Sequence, residues 1–357
     1  MIVLNNRVAA ARGYLDKHCI DALLLLNLGN IRYLSGFTGS DGALVVFRDD
    51  VCFLTDSRYS FQASNEVPDF RKLIYQEKAS AISSTLNEKG ARRVGFEAET
   101  MTVAARDTFA GLMPDVELVP IGAELNNLRI IKDAEELRLI GRAADIASES
   151  LLSILDKVKP GTSERNVALD LEFAMLKAGA DDKAFDFIVA SGERGALPHG
   201  KASEKKILAG ELVTIDFGAV YEGYNSDETV TVAVGEPDSR QREVYQIVKD
   251  AHDLALESLR PGITCKELDA KARDYIEGKG LGRYFGHGLG HGVGMDIHEK
   301  PVISFRSDAV VEEGMVFTIE PGIYLPGWGG VRIEDTVCVT GDGCRVMTKV
   351  CKDLLVL

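Results

Sequence analysis

Four acids stand where acids are poor residents. Asp216 lies in Thr214-Ile215-Asp216-Phe217-Gly218 and Asp227 in Asn225-Ser226-Asp227; further on, Glu320 lies in Thr318-Ile319-Glu320-Pro321-Gly322 and Glu334 in Arg332-Ile333-Glu334-Asp335. Their surroundings are β-branched runs in which alternation would bury them, and strands are depleted in Asp and Glu. A lone acid at a strand end is more often a turn former, and Asp227 after Asn225-Ser226 passes for one by itself. That account gives no reason for matching acids in two separate segments. Four carboxylates gathered without counter-charge would raise one another's pKa values and oppose folding. Two divalent cations would balance them. A nitrogen donor is available in the run from Gly286 to Gly294, which holds His287 and His291 between glycines, and His298 follows. So many glycines exclude a stable helix and predict a strand or loop at close backbone approach. Lys300-Pro301 rules out the H-E-x-x-H zinc helix after His298, and no phosphate-loop pattern is present. An oxygen-rich site with one imidazole suits Mn²⁺, and Co²⁺, Fe²⁺ or Zn²⁺ after it, better than copper.

The elements that would position these residues come in duplicate. Asp133 and Glu136 form a capping box ahead of a helix whose apolar stripe runs through Leu137, Ile140, Ala144, Ala147, Leu151, Ile154 and Val158 to Pro160-Gly161. Val158-Lys159-Pro160-Gly161-Thr162 is echoed by Leu259-Arg260-Pro261-Gly262-Ile263-Thr264, and Thr264 with Glu267 forms a second capping box. The segment 210–218 is echoed by 314–322, and 227–232 by 334–339, at offsets that grow only from 101 through 104 to 107 residues. The pattern predicts two helix–helix–hairpin halves related by an approximate two-fold, with hairpins 212–217/229–234 and 316–324/331–339. Each hairpin carries one acid on either strand.

Ahead of this lies a stretch of different texture. Short apolar runs at 22–26, 43–47, 51–55, 73–75, 93–96 and 116–119 alternate with helical patterns near 4–17, 57–65, 80–89 and 100–112. The alternation predicts a small α/β domain, 1–125, with a largely buried sheet and a structural or substrate-gating role; residues 126–357 form the second domain. The chain of 357 residues is 45% hydrophobic and 27% charged, ordinary globular composition. Its net charge of −14 disfavours phosphate backbones and anionic membranes, so neither nucleic acid nor membrane is an expected partner. The longest aliphatic run, 22–26, is too short to span a bilayer, and residues 1–12 lack a basic-then-apolar export pattern. A cytoplasmic protein with six reduced cysteines is expected. His18 and His252 read as structural histidines.

The ordered motifs resemble the pita-bread metallopeptidases: methionine aminopeptidase, prolidase and Xaa-Pro aminopeptidase, with creatinase a metal-free relative. The resemblance spans the chain, including Phe37-Thr38-Gly39-Ser40-Asp41-Gly42 in the N-terminal part. It implies an α/β creatinase-type N-terminal domain and an α+β pita-bread catalytic domain with an internal pseudo-two-fold repeat. It implies metal ligation by Asp216, Asp227, His291, Glu320 and Glu334, with Asp227 and Glu334 shared by both ions. His199, His298 and His287 match histidines near the substrate, and Arg332 matches an arginine of the proline-specific branch. Glu320 would move the reaction's proton, His298 and His199 would donate to carbonyl oxygens, and Arg332 would offset residual negative charge. The implied activity is hydrolysis of an N-terminal Xaa-Pro bond in short peptides, first as an Xaa-Pro aminopeptidase and alternatively as a strict dipeptidase; family dimers imply a homodimer. From another class, an inactive peptide-binding module on the same fold is weighed against the five intact ligands. One departure stands out. The family commonly has Asp-x-Thr-Arg-Thr, whereas this chain has Asp227-Glu228-Thr229-Val230-Thr231, which predicts altered metal affinity or preference.

Overall fold

Residues 2–67 and 69–357 are described by a computed structural model, which divides into units 1–128 and 129–357. The first unit runs α1 (Ile2–His18), β1 (Ala22–Leu25), α2 (Leu28–Ser35), β2 (Ala43–Phe47), β3 (Val51–Asp56), α3 (Ser60–Glu66), β4 (Arg71–Tyr75), α4 (Lys78–Glu88), β5 (Arg93–Glu97), α5 (Val103–Leu112) and β6 (Glu117–Ile121). Its strands form one mixed sheet in the order β4-β3-β2-β1-β5-β6. Every residue of β1 and β2 is buried, as continuous aliphatic runs covered on both faces should be, while the edge strands β4 and β6 are largely open. The predicted α/β alternation is present. It missed α2, whose Leu-Gly-Asn start is weak in helix propensity. The Asn27 side chain accepts the Asn30 N–H at 3.0 Å, and Gly36, at φ 80°, closes the helix.

The second unit opens with α6 (Ala134–Ile154), capped reciprocally by Asp133 and Glu136, and its predicted stripe is buried apart from the half-buried Leu137. Then follow α7 (Glu164–Lys177), β7 (Asp182–Lys183), β8 (Ile188–Ser191), β9 (Glu211–Phe217), β10 (Ala219–Tyr221), β11 (Tyr224–Asn225) and β12 (Glu228–Val234). The second half repeats the plan with α8 (Ser239–Ser258), α9 (Cys265–Gly278), β13 (Gly290–Gly292), β14 (Glu299–Ile303), β15 (Val316–Ile319), β16 (Gly322–Leu325), β17 (Gly329–Arg332), β18 (Asp335–Val339) and β19 (Cys344–Val346). Each half has its own apolar core. One joins α6 and α7 to β9 and β12; the other joins α8 and α9 to β15 and β18.

The first hairpin pairs without interruption from Glu211↔Val234 to Phe217↔Glu228. The second differs from the expected continuous ribbon. β15 pairs with β18 and β16 pairs separately with β17, and the break falls at Glu320-Pro321 and Ile333-Glu334. Proline has no N–H to extend the ladder, so the break lifts both acids out of regular pairing. Among the described residues no helix is long and apolar enough to cross a membrane, and all six cysteines are free thiols.

Candidate metal centre

The two halves are stitched together at the ligand positions. Glu334 N–H donates to the Thr229 carbonyl at 3.1 Å, and the Thr229 hydroxyl donates to Glu334 Oε2 at 2.6 Å. In the matching position, the Thr336 hydroxyl donates to the Asp227 carbonyl at 2.7 Å. Thr231 Oγ1 donates to the Arg332 carbonyl at 2.9 Å. The acids of the two segments are thereby drawn to one place, and all nine residues singled out in the sequence line a single cavity of about 490 Å³.

His291 owes its place to close backbone approach on both sides. A Cβ on Gly290 would lie 1.9 Å from the Thr318 carbonyl oxygen, and one on Gly292 would lie 2.2 Å from that of Lys300. Only glycine lets β13 slot between β14 and β15 there. The start of this segment is held from α9: Asp269, paired with Arg273 at 2.7 Å, accepts the Leu289 N–H, and Arg273 donates to the His287 carbonyl at 2.7 Å.

Burial holds His291 and His287 below the usual imidazole range, so both are neutral rings. His291 Nδ1 donates to the Gly292 carbonyl at 3.1 Å, which leaves the Nε2 lone pair free. That nitrogen lies 3.4 Å from Glu320 Oε1 and 3.5 Å from Asp227 Oδ2. One donor atom each from Asp227, His291 and Glu334 lies within 4.8 Å of the others. The His298 ring lies against that of His291, centroids 4.2 Å apart, and burial together with His291 lowers its pKa. His199 lines the same cavity, beside Pro198.

The carboxylates are half-committed. Arg332 donates to Asp216 Oδ2 at 2.6 Å, Thr229 holds Glu334 Oε2, and Thr318 donates to Glu320 Oε1 at 3.1 Å. Asp216 Oδ1 and Asp227 Oδ1 are buried with no hydrogen-bond partner. Burial pushes the Asp227 carboxyl well above its ordinary range, and Glu334, Asp216 and Glu320 push it further. Glu334 is raised by burial and then by Glu320 and Asp216; Glu320 is raised chiefly by burial. Buried carboxylate oxygens without hydrogen-bond partners, in a cavity that also holds an imidazole lone pair, are what divalent cations satisfy. The donor set therefore fits divalent cations.

Several members of the site escaped sequence reasoning. The Tyr324 hydroxyl donates to His287 Nε2 at 2.9 Å and accepts from Arg332 at 2.9 Å; burial pushes its pKa up to about 12. Burial opposes the Arg332 charge, but Tyr324, Asp216 and Glu320 hold the guanidinium firmly protonated. Thr229 and Thr231 were legible through strand alternation with Asp227; Tyr324, beyond the break in the second hairpin, was not. Val230, on the opposite face, packs into the α6/α7 core, not near the ligands.

Residues 138–341 match the model of metallopeptidase family M24, and residues 7–131 match the creatinase/prolidase N-terminal domain. The chain is 39% identical to the Xaa-Pro dipeptidase of Pyrococcus horikoshii, over 99% of this chain and 100% of that protein. Among solved structures, the Xaa-Pro dipeptidase from Bacillus anthracis superposes with a TM-score of 0.97 at 43% identity, covering 99% of this chain and 100% of that one. The X-Pro aminopeptidase from Thermotoga maritima gives 0.90 at 39%, covering 95% and 98%. The fold, the gathered donors and these likenesses agree with the resemblance read from the motifs: the chain belongs to metallopeptidase family M24, carries a creatinase/prolidase N-terminal domain and is a metallopeptidase.

Proposed function

We propose that the protein hydrolyses the peptide bond before proline in Xaa-Pro dipeptides, a prolidase activity. The observation that carries this reading is the sharing of one short-peptide-sized cavity by five ligand-type donors, three histidines and Arg332. The relatives named for dipeptide cleavage favour the dipeptidase over the Xaa-Pro aminopeptidase put first on the sequence. The aminopeptidase remains the second reading, supported by the Thermotoga maritima likeness.

In this reading Asp216, Asp227, His291, Glu320 and Glu334 hold two divalent ions, Mn²⁺ before Co²⁺, Fe²⁺ or Zn²⁺. When bound, such ions supply Lewis acidity and a nucleophilic water at neutral pH. The chain's own residues do the rest. Glu320, whose burial raises its proton affinity, takes the proton from the attacking water and delivers it to the departing proline nitrogen. His298 and His199 donate to substrate carbonyl oxygens where negative charge develops. Arg332 fixes Asp216 and, through Tyr324, the neutral His287. Proline offers no N–H and a fixed φ, so strand-like peptide recognition fails at this bond and a shaped pocket is required. Residues 1–125 would restrict peptide length, ahead of a catalytic domain at 126–357. The same reading puts the enzyme in the cytoplasm as a homodimer, which sedimentation would check.

A peptide panel after chelation and metal add-back tests it. Xaa-Pro should be cleaved well ahead of Xaa-Pro-Yaa-Zaa, with Met-Ala untouched. Equal cleavage of the tetrapeptide would move the protein to the aminopeptidases. Failure to bind Mn²⁺ or cleave any peptide would leave the peptide-binding module.

A further inference from the structure

Behind the ligand ribbons lies a second set of charges. Glu228 opens β12 directly after Asp227, and Asp335 opens β18 directly after Glu334, so the two repeat at the same 107-residue offset as the ligands. Successive residues of extended chain point to opposite faces. Asp227 and Glu334 face the cavity, and Glu228 and Asp335 face away from it. Both of the latter converge on one cation: Lys352 Nζ lies 2.5 Å from Glu228 Oε1 and 3.2 Å from Asp335 Oδ1, and none of the three side chains is more than 7% exposed. Both carboxylates have further neighbours. Ser148 Oγ donates to Glu228 Oε2 at 2.5 Å and Val350 N–H to Oε1 at 3.0 Å. The Thr348 hydroxyl donates to Asp335, and His252 Nε2 lies 3.2 Å from Asp335 Oδ2. The Tyr245 hydroxyl fixes the Lys352 carbonyl at 3.0 Å from α8.

A buried ion triad is a poor route to stability, because well-packed apolar side chains in its place are often as stable or more so. Position gives a better reason. The lysine clamps two strand ends that come from different halves, and each clamped residue is bonded directly to an acid of the metal centre. We propose that Lys352 is a positioning residue of that centre, which sets Asp227 against Glu334 by gripping Glu228 and Asp335 from behind. The proposal rests on the metal-centre reading above.

Mn²⁺ binding to the metal-stripped full chain, followed by electron paramagnetic resonance of the free ion, tests it without any assay of activity. Lys352→Met should weaken Mn²⁺ binding about 10- to 100-fold, the range typical of groups that orient ligands. Lys352→Arg, which keeps the charge, should stay within about threefold of the parent. A lysine of purely structural importance would lower the melting temperature and leave the folded variant's Mn²⁺ affinity unchanged, and that result overturns the proposal. Should Lys352→Met fail to fold, Ser148→Ala loosens Glu228 from the same side. A several-fold loss of Mn²⁺ affinity then supports the clamp, and parent-like affinity refutes it. Asp227→Ala serves as the control: if it binds Mn²⁺ as the parent does, the metal-centre reading itself falls and the clamp with it.

Discussion

The first half of the catalytic unit ties its second helix to the chain ahead of its hairpin by the N–H groups of Gly161, Glu164 and Arg165, which donate to the carbonyls of Ile207, Lys205 and Ser203. The second half does so by Gly262, Cys265 and Lys266, which donate to Val311, Ala309 and Ser307. Gly161 and Gly262 even share their φ, at 89° and 90°. The scaffolds are thus the same. What hangs on them is not. The first half presents two short acids, one of them pinned by Arg332. The second presents two longer acids at a broken ribbon, with a glycine-rich strand that brings in an imidazole. Duplication accounts for the convergence of the carboxylates; the chemistry comes from the places where the copies diverge.

The two halves differ least at their equivalent acids, where loss of either should have the largest effect. Asp227→Ala and Glu334→Ala should each lower kcat/KM by at least about 10³-fold, since several kcal/mol of transition-state stabilisation would depend on the ions they are proposed to hold. Elemental analysis should find both variants metal-poor. If one variant keeps its metal and most of its activity, the two halves do not share the centre.

The histidines should separate where the acids agree. His291→Ala is expected to lose metal affinity by about 10- to 100-fold or more. His199→Ala should keep its metal and lose about 10²-fold in kcat/KM, the cost of a missing proton or hydrogen-bond donor. Metal loss in both variants would refute the division of labour between the halves.

The buried carboxyls of both halves should also show in the pH dependence of stability. In the metal-free protein Asp227, Glu334 and Glu320 hold protons above the ordinary carboxylate range because they are buried. Above about pH 4 the folded state then binds more protons than the unfolded one, so stability falls as pH rises through that window. Ions in the site displace those protons and remove the slope. Melting curves at about pH 5 and about pH 8 should therefore show the Mn²⁺-loaded and chelated proteins moving apart as pH rises. A constant gap would mean that these carboxyls are not the ones that take up metal.

The acids and histidines were legible because they sit in motifs whose order survives in one dimension, and because Asp216, Asp227, Glu320 and Glu334 repeat. The α/β alternation of the first unit was equally open to reading from buried runs such as Ala43–Phe47. Other features depend on contacts that sequence spacing does not encode. Tyr324 joins the site by reaching His287, 37 positions away, and Lys352 reaches Glu228 from 124 positions away. Glu228, met in the sequence only within the departing motif Asp227-Glu228-Thr229-Val230-Thr231, is paired with Lys352 from behind. His252, read as structural, stands against Asp335 in that same network. The second hairpin looked continuous because periodicity registers β-branched residues and overlooks the missing N–H of Pro321.

The smallest effects test the scaffold itself. Ser163 caps α7 by accepting the Asn166 N–H at 3.2 Å, and Thr264 caps α9 by accepting the Glu267 N–H at 3.1 Å. The caps are equivalent in position, but only Thr264 is answered by its partner, since the Glu267 carboxylate accepts the Thr264 N–H at 2.9 Å. Replacing either with alanine should cost about 1 kcal/mol, with Thr264→Ala at the upper end because the reciprocal bond loosens with it. The two caps share no partner, so the double variant should lose the sum of the single losses within about 0.5 kcal/mol, with kcat/KM unchanged. Denaturant titration reads this directly. A double variant that loses much more than the sum would mean that the two caps are energetically coupled, and the scaffold could then no longer be described as two copies of the same local solution.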